Sequence, residues 1–183
     1  KYVVVDIDGT IADIQKMAKY PLECEQDVIN FKEACDTCLP HDDIIYLLDV
    51  LSRDGKTIVF CTARPEIVRQ NTLIWINTHL PFLKERGIEI TLYMRKDGDE
   101  RPDNVVKILM MEAAGITPDN TFMVLEDKAE VTKSWRKAGY RCMQVTDGDT
   151  PSHNTTFDIN GRTYLLQELK DRKACEVCDA KPI

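Results

Sequence analysis

Short apolar runs alternate with amphipathic stretches along most of this chain, and that alternation leaves it few folds. Tyr2 to Val5 is a β-branched run, and Thr57 to Cys61, Ile88 to Tyr93, Phe122 to Leu125 and Arg141 to Val145 read as further strands. Between them, Asp42 caps an expected helix with Ile44, Ile45, Leu48 and Leu51 on one face, stopped by Gly55. Pro65 suits a first helical position ahead of Ile67, Leu73, Trp75 and Ile76. Asp103 opens another helix through Val106, Leu109, Met110 and Ala113, and Ala129 to Ala138 forms the last, closed by Gly139. Such alternation builds right-handed βαβ units, giving an α/β fold with a parallel sheet covered on both faces. Ligands in these sheets bind beyond the carboxyl ends of the strands, so chemistry belongs directly after each apolar run.

The pattern changes past Gly148. Asp147 to Thr156 is polar and turn-rich, and Asn160-Gly161 between Thr156–Ile159 and Arg162–Leu165 signals a hairpin. The boundary falls near Thr150, which divides the chain into a core, 1–150, and a C-terminal extension, 151–183, carrying the hairpin and a Cys pair. No run is long enough to span a bilayer and no signal-peptide pattern is present. The net charge of −7 disfavours broad electrostatic binding to nucleic acid, yet leaves room for a small basic pocket that holds one phosphate or a strand end. Seven Cys without an export signal point to a reducing, cytoplasmic setting.

Four elements follow or flank the apolar runs. Val3-Val4-Val5-Asp6-Ile7-Asp8-Gly9-Thr10 sets two carboxylates, two residues apart, just past a buried strand. Carboxylates this close repel unless a cation lies between them or one is protonated, and a hard cation such as Mg²⁺ prefers their oxygens. Alone, the element also reads as a turn or a calcium-loop fragment. Thr62, after Ile58–Cys61, offers a hydroxyl to a phosphate oxygen or merely caps a helix. Lys107 taken singly is an exposed helical lysine, and Glu126-Asp127 after Met123–Leu125 taken singly is a helix-capping pair.

In one order, and at these positions, the four elements resemble the motifs of the haloacid dehalogenase superfamily over roughly residues 2–147. The resemblance implies a HAD-like Rossmannoid sheet with a minimal cap. It implies an Mg²⁺-dependent phosphatase in which Asp6 attacks phosphorus and Asp8 acts as acid and then base. Mg²⁺ would be bound by Asp6, the Asp8 carbonyl and Asp127, with Glu126 in the place of the family's first Asp. Thr62 and Lys107 would neutralise the transferring oxygens.

A closer resemblance rests on Asp27-Val28-Ile29-Asn30, Arg64, Arg95, Asp103-x-Val105-Val106-Lys107, Trp135-Arg136 and Gln144-Val145. These look like the 3′-phosphatase domain of bacteriophage polynucleotide kinase-phosphatase. That resemblance implies removal of a 3′-phosphate from nucleic acid ends, with Thr10, Arg64 and Arg95 as substrate contacts. The kinase domain, or a partner supplying it, belongs outside this chain, since no GxxxxGK[ST] element occurs here. The alternatives are a 5′-nucleotidase or small-metabolite phosphatase and, from another class, a zinc-stapled binding module.

Compared with the phage domain, the segment from Phe31 to Asp43 is an insertion and the C-terminal tail an addition, and each carries a CxxC pair. Cys35, Cys38, Cys175 and Cys178 have the spacing of a structural Zn²⁺ site that would staple the tail to the core, with His41 as a substitute ligand. Cys24, Cys61 and Cys142 are assigned to packing.

Overall fold

The computed structural model describes residues 1–13, 30–31 and 34–146, together with strands Thr156–Ile159 and Arg162–Leu165. Five strands, β1 (Tyr2–Val5), β2 (Thr57–Pro65), β3 (Thr91–Arg95), β4 (Thr121–Glu126) and β5 (Cys142–Gln144), form a parallel sheet in the order β3-β2-β1-β4-β5. Period-two alternation along each strand sends side chains to two separate cores. Val3, Val5, Ile58, Phe60, Leu92 and Leu125 enter one, where they meet Leu48 and Leu51 of α1 (Asp42–Arg53), Trp75 and Ile76 of α2 (Arg69–His79) and Phe82 and Leu83 of α3 (Pro81–Glu85). Val4, Val59, Cys61 and Val124 enter the other, with Met111 of α4 (Asp103–Ala113) and Val131 and Trp135 of α5 (Ala129–Lys137). Helices therefore cover both faces, as the alternation of elements predicts. No helix among the described residues is long and apolar enough to cross a membrane.

Several boundaries differ from those expected. β3 starts at Thr91 rather than Ile88, because Gly87, at φ +65°, ends α3 in the left-handed region. The Gly87 N–H then bonds the Lys84 carbonyl, and the Ile88 N–H bonds that of Leu83. Ile88 is thus the apolar residue that closes a helix end, and its apolarity mimics a strand start. Pro65 has extended backbone, φ −69° and ψ 153°, so it ends β2 and precedes a 3₁₀ turn, Glu66–Val68, before α2 begins. Asp42 and Asp103 are not caps: each is the first residue of its helix, behind His41 and Pro102, with no side-chain cap bond. Acids there still favour the positive end of the helix dipole.

Two compact units divide the chain, Lys1–Asp149 and Thr150–Ile183. In the second, β6 (Thr156–Ile159) pairs antiparallel with β7 (Arg162–Leu165), Thr156 opposite Leu165 and Ile159 opposite Arg162.

Candidate active site

The central strand, β1, delivers its two acids where the sheet order reverses. Beyond Val5 the chain folds around one carbonyl, since the N–H groups of Thr10, Ile11 and Ala12 all bond the oxygen of Ile7. This knot buries Asp6, Ile7, Gly9 and Thr10 and leaves Asp8 partly exposed. Gly9, at φ +81°, is required here twice over. Its conformation disfavours a side chain, and a Cβ would stand 2.2 Å from Asp127 Oδ2.

Asp6 is fixed at both oxygens. Lys107 Nζ lies 2.7 Å from Oδ1, and the Thr10 hydroxyl donates to Oδ2 at 3.3 Å. Lys107, read in isolation as a surface residue, is buried with its side chain 3% exposed, and it also donates to Glu126 Oε2 at 2.8 Å. Burial disfavours its charge, but Asp6 and Glu126 more than offset this and hold the ammonium above its ordinary pKa. Asp6, Glu126 and Asp127 bring carboxylate oxygens within 4.8 Å of one another. Burial pushes the Asp6 carboxyl well above its ordinary value. Lys107 opposes that rise, and Glu126, Asp127 and Asp8 add to it. Asp127 is pushed up to about 7 by burial first and by Glu126 second.

Three buried carboxylates against one buried ammonium leave two negative charges, which a divalent cation balances. Both Asp127 oxygens are buried without a hydrogen-bond partner among the described residues. Unpartnered carboxylate oxygens in an all-oxygen cluster are what a hard cation of the Mg²⁺ type binds, so the residues fit such an ion.

The remaining expected residues divide. Thr62 is buried in β2 beside this cluster's strand, and its Oγ1 accepts the Arg64 N–H at 3.1 Å. Arg64 and Arg95, expected to face substrate, are both engaged by protein acceptors. Arg64 is buried and donates to Asp8, from Nε to Oδ1 and Oδ2 at 3.0 Å each and from Nη2 to Oδ1 at 2.7 Å. Burial works against its charge, and Asp8 outweighs it, keeping the guanidinium above its ordinary value. Arg95 donates to the carbonyls of Ala63 (3.0 Å), Asp99 (2.7 Å) and Arg101 (2.6 Å) and to Asp103 Oδ1 (2.5 Å). It thereby ties the loop after β3 to the end of β2.

Sequence reasoning missed Asp103 and Lys128 as parts of this framework. Asp103 Oδ2 meets Lys128 Nζ at 2.7 Å while Oδ1 meets Arg95, so one carboxylate joins the loops after β3 and β4. Burial tends to raise Asp103, and Lys128, Lys107 and Arg95 together hold it below its ordinary value. The signal was Asp103's place in the first turn, which read as a cap. Cys35 and Cys38 are buried beside Arg64, and burial lifts the Cys35 thiol to about 12. Their expected zinc partners, Cys175 and Cys178, lie outside the described residues, as do Cys24, Val28 and Ile29.

The model of the polynucleotide kinase PNKP phosphatase domain matches residues 1–150. A chain of the Pnkp1/Rnl/Hen1 complex superimposes with a TM-score of 0.62 at 22% identity, covering 79% of this chain and 45% of that one. This chain thus spans less than half the length of that relative. CbbY from Rhodobacter sphaeroides, solved with phosphate, matches at TM-score 0.55 and 12% identity over 77% of this chain and 84% of its own. The HAD family enzyme bt-2542 from Bacteroides thetaiotaomicron matches at TM-score 0.51 and 14% identity over 84% and 97%. These structures share the fold. With an acid cluster at the carboxyl end of its central strand and a family match across its whole first unit, the chain belongs to the PNKP phosphatase-domain family of HAD-type phosphatases.

Proposed function

We propose that this chain hydrolyses phosphomonoesters through an aspartyl phosphate on Asp6, and that its substrates are 3′-phosphorylated nucleic acid ends. The observation that carries the chemistry is one juxtaposition. Asp6 is buried and held at both oxygens by Lys107 and Thr10, while Asp8, two residues on, is partly exposed with a side chain 25% accessible. A fixed carboxylate suits a nucleophile, and a reachable one suits proton exchange with substrate and water.

An Asp6 oxygen bonds to phosphorus as the bond from phosphorus to the substrate oxygen breaks. The leaving oxygen takes a proton from Asp8. Asp8, now a carboxylate, takes a proton from a water whose oxygen bonds to phosphorus and displaces Asp6, releasing inorganic phosphate. Lys107 and the Thr62 hydroxyl face the phosphate oxygens. The Thr62 lone pair is used by the Arg64 N–H, which leaves its proton for donation. Mg²⁺ would be held by Asp6, Asp127 and the Asp8 carbonyl, with Glu126 alongside, and supplies charge neutralisation at the phosphate.

The 3′-end preference is supported by the family match and by the segment Asp27–Asn30 of the sequence. Phosphate release from a 3′-phosphorylated oligonucleotide, against a 5′-phosphorylated one and a mononucleotide, tests it. A clear preference for 5′-mononucleotides would leave only the phosphatase chemistry standing.

A further inference from the structure

We infer that Arg64 binds no phosphate and is a positioning residue, one that grips Asp8 by Oδ1 and so leaves Oδ2 as the oxygen that carries the proton. The inference rests on the reading of Asp8 as acid and base given above. Its starting observation is that the Arg64 side chain is 0% exposed and that Nε, Nη1 and Nη2 each already meet a protein acceptor.

The contacts assign each oxygen a task. Oδ1 of Asp8 accepts from both Nη2, at 2.7 Å, and Nε, at 3.0 Å, whereas among the described residues Oδ2 accepts only the shared Nε bond at 3.0 Å. A carboxylate oxygen offers about two lone-pair directions, so Oδ1 is saturated by Arg64 while Oδ2 keeps one available. Charge-assisted, two-pronged pairing of this kind fixes orientation as well as distance. The Asp8 carboxyl therefore cannot swing between rotamers, and its reactive edge is set from behind.

Arg64 is itself held. Nη1 donates to Thr72 Oγ1 at 3.2 Å, and Thr72 donates its own proton to the Val68 carbonyl at 3.0 Å, so the hydroxyl has only its lone pairs to offer the guanidinium. Nη2 also lies 3.9 Å from Cys38 Sγ, and Cys38 is pinned by Trp75 Nε1, which donates to its carbonyl at 2.8 Å. Asp8 past β1, Arg64 in β2, Cys38 before α1, and Thr72 and Trp75 in α2 thus form a continuous brace. Thr72, Arg64 and Cys38 are all buried. A residue that only contacted phosphate would not require this backing. A general acid that must meet a leaving oxygen in one geometry does, because misplacement by about 1 Å can cost about 100-fold in rate.

The test compares leaving groups. The value of kcat/KM reports steps up to departure of the first product, where Asp8 donates its proton. An alkyl phosphomonoester needs that proton, and an activated aryl phosphate does not. The alkyl substrate is a 3′-phosphorylated oligonucleotide, or a nucleoside 5′-monophosphate if that is turned over faster. Arg64→Lys keeps a buried cation but loses the fork. It should cut kcat/KM about 10- to 100-fold on the alkyl substrate and several-fold less on p-nitrophenyl phosphate, since general acid catalysis supplies about 10²–10⁴-fold. Inhibition by inorganic phosphate should change by less than about twofold. Thr72→Val, which leaves the Arg64–Asp8 pair intact but loosens its backing, should show the same asymmetry on a smaller scale and covers the case in which Arg64→Lys does not fold. Equal losses on the two substrates in both variants, or inhibition by phosphate weakened in step with kcat/KM, would return Arg64 to a phosphate contact and overturn the inference. The parent reading fails separately, and takes this one with it, if Asp8→Asn itself loses equally on both substrates.

Discussion

Replacing Gly9 with alanine adds one methyl group and no charge, yet the geometry requires a large effect. The new Cβ would stand 2.2 Å from Asp127 Oδ2 and 2.6 Å from its Cγ, where contacts under 3.0 Å are essentially never tolerated. The Asp127 carboxylate must then retreat by at least about 0.8 Å, the difference between 3.0 and 2.2 Å. Holding a non-glycine residue at φ +81° costs about 1–2 kcal/mol, and the overlap about 1–3 kcal/mol more. Gly9→Ala should therefore lose roughly 2–5 kcal/mol of stability, read from urea midpoints. Turnover should fall about 100-fold, as expected for a displacement of about 1 Å at a reacting centre. The two effects separate through Mg²⁺. An ion that binds only the folded protein raises the wild-type midpoint, and the gain should shrink in the variant because Asp127 has moved. Gly9→Ala protein with turnover and Mg²⁺ half-saturation both within about twofold of wild type would refute the argument.

Asp6→Asn keeps the shape and removes the attacking charge, so turnover should drop by at least about 10³-fold; steady-state activity above about a tenth of wild type sinks the nucleophile. Arg95 spends four bonds on the protein, so Arg95→Ala should slow oligonucleotide and p-nitrophenyl phosphate alike, by about 1–3 kcal/mol in kcat/KM; a loss confined to the oligonucleotide would mean a direct contact. In chelator, Asp127 binds its proton more tightly when folded, at about 7 against an ordinary 3.8, so stability is full below about pH 4 on its account and declines as pH rises through 7; Mg²⁺ should reverse the decline, and a chelated protein that gains stability from that group across this window contradicts it. If Cys35, Cys38, Cys175 and Cys178 hold zinc, elemental analysis of protein purified without chelator finds one Zn²⁺ per chain; none leaves Cys35 and Cys38 as packing around Arg64.

The residues that strands deliver directly were readable in advance. Asp6, Asp8, Thr62 and Asp127 sit at or past the ends of apolar runs, and a parallel sheet allows them only one place to go. The side chains whose destination depends on another element were not. Lys107 taken singly has the spacing of an exposed helical residue; the family resemblance alone places it at the site, and the approach of β1 and β4 buries it between Asp6 and Glu126. Arg64 and Arg95 read as phosphate forks because a guanidinium pairs equally well with phosphate and carboxylate; nothing local distinguishes Asp8, 56 residues away, from a substrate oxygen. Asp103 illustrates the same ambiguity at a helix start, where a capping acid and an acid bridging two loops look identical in one dimension. Ile88 shows the converse, since an apolar residue whose N–H closes a helix end looks like the start of a strand.

Because all five strands run the same way, the connections that lead into them lie at the opposite end of the sheet from Asp6, Asp8 and Asp127. Asp54, Glu89 and Asp119 are exposed there, ahead of β2, β3 and β4. A linker attached at Glu89 or Asp119 would anchor the protein to a surface with its acid cluster facing outward into solution. The same asymmetry gives an immobilised enzyme a defined orientation, with the carboxyl ends of its strands on the face the tether leaves clear.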